Sequence, residues 1–379
     1  MSRSLDTHPP LPAHVVFSGG GTGGHLFPGL AVAAELRRRH PQLQITFSGN
    51  GQEFDRAQVA AAGFAYQGFP SVPATRTLRG LWRFFRHYQE GTRRAGAFLH
   101  QQRVQLVVGL GGYASVPVAR AALRQRIPLA LLEQNVIPGR ATRWLARKAE
   151  LVCLSFDQSR DRLPAGARLF TTGNPLRSSF RQLAQKKVPV EPRRLVVLGG
   201  SRGAADLNEH VPRALYKLRA ALRGWKIVHV CGRSCEATRL LYEKFNLRAE
   251  VSDFVQDMPD LLHGASLAIS RAGGTTLAEL ALLGVPAVLL PYPLATDDHQ
   301  RANAGVCVQS GGATIVDSRY LTGRLDVQLA ATLSPLLQSP QRLRSMGQAM
   351  RRLSRPQATA VVADQLEQWI EHPRQAQAA

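Results

Sequence analysis

The sequence predicts two α/β domains in tandem, each a parallel sheet with helices on both faces. Three observations carry this. The chain has 379 residues, more than one ordinary core accommodates, so two domains of about 150–200 residues each are the natural division. Short β-branched apolar runs alternate with longer helical stretches, which is the pattern of strand–helix units on a parallel sheet. The opening device of strand, glycine loop and helix then returns about 180 residues later.

That device is clearest in residues 14–36, HVVFSGGGTGGHLFPGLAVAAEL. Val15–Phe17 reads as a strand, Gly19–Gly24 as a tight loop, and Pro28–Leu36 as a helix with Pro28 in its first turn. Glycines permit positive φ and close backbone approach, and a helix start gathers partial positive charge. An anion is therefore expected at this loop, with His25 at its mouth. Gly19-x-Gly21-x-x-Gly24 also fits the dinucleotide fingerprint. That motif wants an acid at the tip of the second strand. The tip here is Ser48-Gly49-Asn50, and Glu53 and Asp55 belong to the next helix. A nicotinamide or flavin site is disfavoured.

The alternation continues with strands at Gln44–Phe47, Leu106–Val108, Pro128–Leu132 and Leu151–Leu154. Helices fall at Phe54–Ala62, Val116–Gln125 and Thr142–Arg147, and turn chemistry at Gly173-Asn174-Pro175 marks the domain boundary. The second domain starts with strand Arg194–Leu198, loop Gly199–Gly203 and helix Ala204–Leu222. Strand Lys226–Val230, helix Glu236–Phe245, a short strand at Glu250–Val251, helix Pro259–Leu262 and strand Leu267–Ser270 follow. A third glycine loop, Arg271–Thr276, precedes a helix from Leu277, with Thr275 and Thr276 as caps and Glu279 in its first turn. Leu277–Ala295 imitates a membrane span, but Glu279, Pro286, Pro291 and Pro293 fit helix, turn, strand and loop.

Leu78–Arg94, LRGLWRFFRHYQEGTRR, interrupts the alternation. Leu78, Leu81, Trp82, Phe85 and Tyr88 share one helical face, ringed by Arg79, Arg83, Arg86, Arg93 and Arg94. Two readings stand: a core-facing helix with solvated arginines, or an aromatic, basic patch for an anionic membrane surface.

The chain carries 48 Lys plus Arg against 26 Asp plus Glu, a net charge of +22. Such a charge favours nucleic acid, an anionic membrane or phosphorylated substrates. The arginines are spread along the chain, so only their clusters point to a function, and nucleic acid is not expected. Cys153, Cys231, Cys235 and Cys307 are too few for a disulfide scaffold. Cys231 and Cys235 have only His229 nearby, so no zinc site is expected and the cysteines read as buried thiols. No signal peptide or spanning segment is expected, only termini without a fixed fold at Met1–Pro12 and His372–Ala379.

Seven stretches, in order, resemble the motifs of one family: GGGTGGHLFPGLAVA, GLGGYAS, EQN, TGNPLR, GGSRGA, SRAGGTTLAE and DDHQRANA. It is glycosyltransferase family 28, of the GT-B architecture, in its branch acting on UDP-N-acetylglucosamine and lipid I. The resemblance spans about residues 14–305. It implies two Rossmann-like domains facing a cleft. Residues 1–172 would take the acceptor and face the membrane, and residues 173–379 would take the donor, with the last helix packing back on the first domain. The implied reaction moves N-acetylglucosamine, with inversion, to the 4-hydroxyl of the N-acetylmuramoyl unit of lipid I, giving lipid II. It implies no cofactor and no metal, with peripheral attachment at the cytoplasmic face of the cell membrane.

By motif, the backbone at Val255 would face uracil and Glu279 the ribose. Arg177 and Ser201 would serve the diphosphate. Gly274, Thr275, Thr276, Leu277, Ala278 and Gln300 would line ribose, phosphate and sugar. Thr22, Gly23, Gly24 and Asn135 would close over the sugar and the acceptor diphosphate. Inverting transfer needs one base and a stabilised leaving group. His25 is the first choice of base and Glu133 the second. Two positions depart from the family pattern: Val116 where glycine is usual and Leu132 where histidine is usual. Both touch the acceptor side. The competing functions are a glycolipid synthase with a diacylglycerol acceptor and a nucleotide-sugar-binding protein without catalysis.

Overall fold

A computed structural model describes residues 13–73, 77–187, 193–200, 204–232, 235–320 and 323–371. Both termini expected to lack a fixed fold, Met1–Pro12 and His372–Ala379, lie outside the described residues, as do Ser201 and the side chain of Leu78.

The strands are β1 His14–Gly19, β2 Gln44–Gly49, β3 Ala65–Gly68, β4 Leu106–Gly111, β5 Leu129–Glu133, β6 Leu151–Leu154 and β7 Leu169–Thr171. They continue as β8 Arg193–Leu198, β9 Trp225–Val230, β10 Ala249–Ser252, β11 Ala265–Ser270, β12 Ala287–Leu289 and β13 Ala313–Ile315. The helices are α1 Gly23–Arg39, α2 Glu53–Ala61, α3 Leu78–Gln101, α4 Val116–Arg124, α5 Arg140–Leu145, α6 Ser178–Ala184 and α7 Ala205–Lys217. They continue as α8 Cys235–Lys244, α9 Met258–His263, α10 Gly274–Leu283, α11 His299–Gln309, α12 Leu325–Leu337, α13 Pro340–Arg352 and α14 Ala358–Glu371.

Two all-parallel sheets result, ordered β3-β2-β1-β4-β5-β6-β7 and β10-β9-β8-β11-β12-β13. Strand order reverses between β1 and β4 and between β8 and β11, the places where α/β sheets open a crevice for ligands. The glycine loops follow these four strands.

Strand alternation decides what each face buries. Along β5, Ala130 and Leu132 join the core under α1, while Leu129 and Leu131 join the core under α3 and α4. Leu132 is thus a core residue packed with Phe17 and Val362, and it does not line the acceptor side as its place before Glu133 suggested. In the second sheet Leu195 and Val197 pack toward α7 and α12, and Val196 and Leu198 toward α6 and α10.

The final helix α14 buries Val362, Ala363, Leu366, Trp369 and Ile370 in the first domain's core beside α1. Arg39 ties it with ion pairs to Asp364 at 2.6 Å and Glu367 at 3.2 Å. The chain therefore passes between the sheets twice, and Thr359 joins the two passages. Its hydroxyl accepts from Leu176 N at 3.1 Å and donates to Leu176 O at 2.9 Å.

Several elements differ from the sequence reading. β3, β7 and β13 were not expected, and neither were α6, α11, α12 and α13; the three strands lie at sheet edges and are partly exposed, so they lack a buried apolar run. α1 begins at Gly23, so Pro28 lies inside the helix and His25 in its first turn. Helix Leu78–Arg94 continues to Gln101, because Ala95 and Leu99 anchor its second half in the core. α7 stops at Lys217, well before Leu222.

Candidate active site

The first wall of the site is the loop between β1 and α1. Gly19, Gly20 and Gly21 all have positive φ, and a Cβ on Gly19 would come within 2.8 Å of the Leu110 side chain. The expected anion site here is partly filled from within. Fully buried Asp55 accepts from Gly21 N at 2.8 Å. One amide of the loop is therefore engaged within the domain. Thr22 is the α1 N-cap, with its carbonyl accepting from His25 N and Leu26 N. Gly23 is buried and Gly24 exposed.

His25 stands in this first turn against the β4 loop, where a Cβ on Gly111 would come within 3.2 Å of Nδ1. Its Nδ1 lies 2.8 Å from Gln134 Oε1. Alternation explains why the partner is Gln134. Residues 130, 132 and 134 point to the α1 side of β5, and Glu133 points away. Glu133 is buried and committed to its own loop. Its Oε1 accepts from Asn135 N at 3.0 Å and Asn135 Nδ2 at 3.2 Å, and its Oε2 from Gly139 N at 2.9 Å. A carboxylate already accepting three hydrogen bonds shapes the loop and has little capacity left for a substrate hydroxyl.

The second wall is α10. Its N-cap is Gly273, and no side chain caps it. The cap role expected of Thr275 is replaced by a bond across the cleft: its Oγ1 donates to Gly24 O at 2.8 Å. Gly274 is a glycine for a packing reason, since a Cβ there would overlap the Gln134 carbonyl oxygen. Thr276 and Ala278 are half-buried, and Leu277 is buried. Glu279 falls in the second turn of α10 rather than the first, because the helix starts at Gly274. It is only 8% exposed, and burial pushes its carboxyl up to about 7, against the opposing pull of Arg177. Arg177, at the start of α6, lays its guanidinium 5.0 Å from the Phe27 ring centre and 5.5 Å from that of Phe180.

Asn135 meets α11. Its Oδ1 accepts from Asn303 Nδ2 at 3.0 Å, Asn303 also donates to Ala272 O at 3.1 Å, and Asn303 Oδ1 accepts from Val136 N at 2.8 Å. Gln300, one turn earlier, accepts from Tyr292 N at 2.9 Å through Oε1. Val255, in the loop after β10, packs half-buried on the same core as Ala278. Val116, at the start of α4, is half-buried.

Thr22, Gly23, Gly24, His25, Asn135, Gly274 and Thr275 thus meet at one junction between the sheets. Glu279 with Arg177 lies further along α10, and Gln300 and Val255 stand on flanking loops. Four contributors had no site role assigned from sequence: Gln134, Asn303, Asp55 and Arg271. Arg271 is buried, pairs with Asp206 and donates to Leu290 O at 3.0 Å, fixing the loop that carries Tyr292. Strand parity beyond Leu132 could have found Gln134. The others depend on long-range contacts. Among the described residues no group of three or more His, Cys, Asp or Glu is placed to hold a metal.

Residues 15–154 match the N-terminal domain of glycosyltransferase family 28, and residues 194–362 match its C-terminal domain. A Geobacter sulfurreducens protein is 34% identical over 365 residues, covering 93% of this chain and 97% of its own. One from Carboxydothermus hydrogenoformans is 36% identical over 368 residues, covering 92% and 96%. Both are named UDP-N-acetylglucosamine--N-acetylmuramyl-(pentapeptide) pyrophosphoryl-undecaprenol N-acetylglucosamine transferase. The chain belongs to glycosyltransferase family 28. Among solved structures of this family, Acinetobacter baumannii MurG superposes with a TM-score of 0.73 at 31% identity, covering 94% of this chain and all of that one. The calicheamicin glycosyltransferase CalG4 superposes at 0.63 with 17% identity over 95% of this chain and 99% of its own, a likeness of fold. The family's two-domain GT-B architecture is the one described above.

Proposed function

We propose that this chain transfers N-acetylglucosamine from UDP-N-acetylglucosamine to the 4-hydroxyl of the N-acetylmuramoyl unit of lipid I, with inversion, giving lipid II for peptidoglycan synthesis. The observation that carries the reading is the junction itself. The His25 turn of the first domain and the α10 start of the second close on one another through Thr275 and Gly24, beside a buried carboxyl, Glu279, suited to a ribose diol.

Residues 1–172 bind the acceptor and residues 173–379 the donor. Glu279 takes the ribose hydroxyls and the Val255 backbone faces uracil. Arg177 and the positive end of α10 meet the diphosphate, with Ser201 from the Gly199–Gly203 stretch. Gly274, Thr275, Thr276, Leu277, Ala278 and Gln300 line ribose, phosphate and sugar. Thr22, Gly23, Gly24 and Asn135 close the acceptor side. His25 accepts the acceptor proton, and Glu133 shapes the loop that holds Asn135.

The enzyme works as a peripheral protein at the cytoplasmic face of the membrane. Among the described residues no helix is long and apolar enough to cross a bilayer. The start of α3 supplies the contact. Trp82 is 65% exposed and Phe85 56%, so these two rings do not face the core, and Arg79, Arg83 and Arg86 stand exposed around them.

The test is turnover with purified lipid I across a panel of nucleotide sugars. Activity with UDP-N-acetylglucosamine above the other donors is expected. Transfer to diacylglycerol in preference to lipid I, or donor binding with no transfer, would replace this reading.

A further inference from the structure

We propose that Gln134 is a positioning residue that fixes the tautomer of His25, leaving Nε2 as the basic nitrogen. This rests on the reading of His25 as the base.

The geometry decides the tautomer in two steps. Gln134 is buried, and its Nε2 donates to the Leu132 carbonyl at 3.2 Å. Turning the amide over would set two acceptor oxygens face to face, so the bond to Leu132 O fixes which end is oxygen. Oε1 is then the atom 2.8 Å from His25 Nδ1. An amide oxygen only accepts, so Nδ1 carries the hydrogen and Nε2 has the free lone pair. The second domain meets the same residue, because the Gln134 backbone carbonyl oxygen lies so close to Gly274 that a Cβ there would overlap it. Domain closure and base orientation thus share one residue.

Charged groups on the surrounding elements are engaged elsewhere. Asp55 of α2 accepts from Gly21 N, and Glu133 accepts from Asn135 and Gly139. Glu279 of α10 is buried within its own domain next to Arg177.

In the transfer the 4-hydroxyl oxygen bonds to the anomeric carbon and its proton passes to His25 Nε2. The bond from that carbon to the diphosphate oxygen breaks, and UDP leaves with the electron pair. The imidazolium keeps its Nδ1–H bond to Gln134 and returns the Nε2 proton to water.

The experiment combines pH–rate profiles with ring nitrogen NMR, using a water-soluble lipid I analogue and UDP-N-acetylglucosamine. In the wild-type chain the His25 signal, assigned by its loss in His25→Ala, should show Nε2 unprotonated above the acid limb. Gln134→Leu should lower kcat about ten-fold or more with acceptor KM little changed, the usual effect of removing an orienting partner. Gln134→Glu should recover kcat at high pH and move the acid limb of the profile up by about one unit, since a carboxylate favours the imidazolium. A packing role alone would not move that limb. An Nε2–H tautomer in the wild type, full kcat in Gln134→Leu, or a Gln134→Glu profile superposing on the wild type would overturn the proposal. The tautomer is read on the wild type, so a variant that fails to fold does not block the test. A wild type with no activity on lipid I would instead remove the reading of function.

Discussion

The Thr275 hydroxyl donates to the Gly24 carbonyl, the carbonyl whose usual helical partner, residue 28, is a proline. In a helix the acceptor for residue 28 is residue 24, and proline has no N–H to give. A proline in the second turn of α1 thus creates a socket on the first domain, and the second domain fills it. Thr275→Val should cost about 1 kcal/mol of stability. Pro28→Ala restores a donor within α1 and should reduce that cost. A double-variant cycle by denaturant unfolding checks this, and strictly additive effects would remove the link between the two residues.

Glu279 gives a pH signature. Its folded-state carboxyl is raised to about 7 by burial, above its unfolded value, so the folded chain holds the proton longer. Stability is then lost as pH rises from about 4.5 to 7, by up to about 3 kcal/mol. Glu279→Gln should therefore raise the melting temperature of the ligand-free protein at pH 8 and leave it unchanged at pH 4. UDP affinity should increase with pH up to about 7, because the ionised carboxylate accepts from the ribose hydroxyls. Glu279→Ala should weaken UDP by about 1–3 kcal/mol. Calorimetric UDP affinity that is flat with pH and unaltered in Glu279→Ala would sink the ribose assignment.

His25→Ala should reduce turnover about 10²- to 10⁴-fold, the scale of a lost general base. Donor affinity should change little. If donor affinity falls while saturated turnover persists, His25 is a binding residue.

The exposed start of α3 should carry the membrane contact. Replacing Trp82 and Phe85 by Ser, and Arg83 and Arg86 by Gln, should abolish co-sedimentation with anionic vesicles at low salt, since each arginine adds about 1 kcal/mol there. Activity on a water-soluble lipid I analogue should survive. Vesicle binding that persists in the quadruple variant would move the contact elsewhere.

Most of the architecture was legible because its strands are periodic and its glycine loops repeat. Strand Val15–Phe17 and the Leu277–Ala295 segment, read as helix, turn, strand and loop, fall as the pattern predicted, with Gly284 in the left-handed region at the helix end. The edge strands β3, β7 and β13 were hidden because they are partly exposed and lack the fully buried apolar run that made the equally short β6 and β12 legible. Within the site, local chemistry misled where a distant partner took over. Thr275 has the composition of a cap, yet its hydroxyl serves Gly24. Asp55 reads as a helix-start acid, yet it turns back to Gly21. Leu132 stands beside the motif residues in sequence but points into the core.

The return of α14 to α1 makes the first domain discontinuous in sequence. Residues 13–171 build its sheet, but Trp369 and Ile370, almost two hundred residues later, complete its core. A nascent chain therefore exposes an unfinished apolar face throughout synthesis of the second domain, a state open to chaperones and to aggregation. The first domain reaches its final packing last, so translation of the second domain precedes a finished first one. Shortening the chain by a single helix at its end would injure the domain at its beginning.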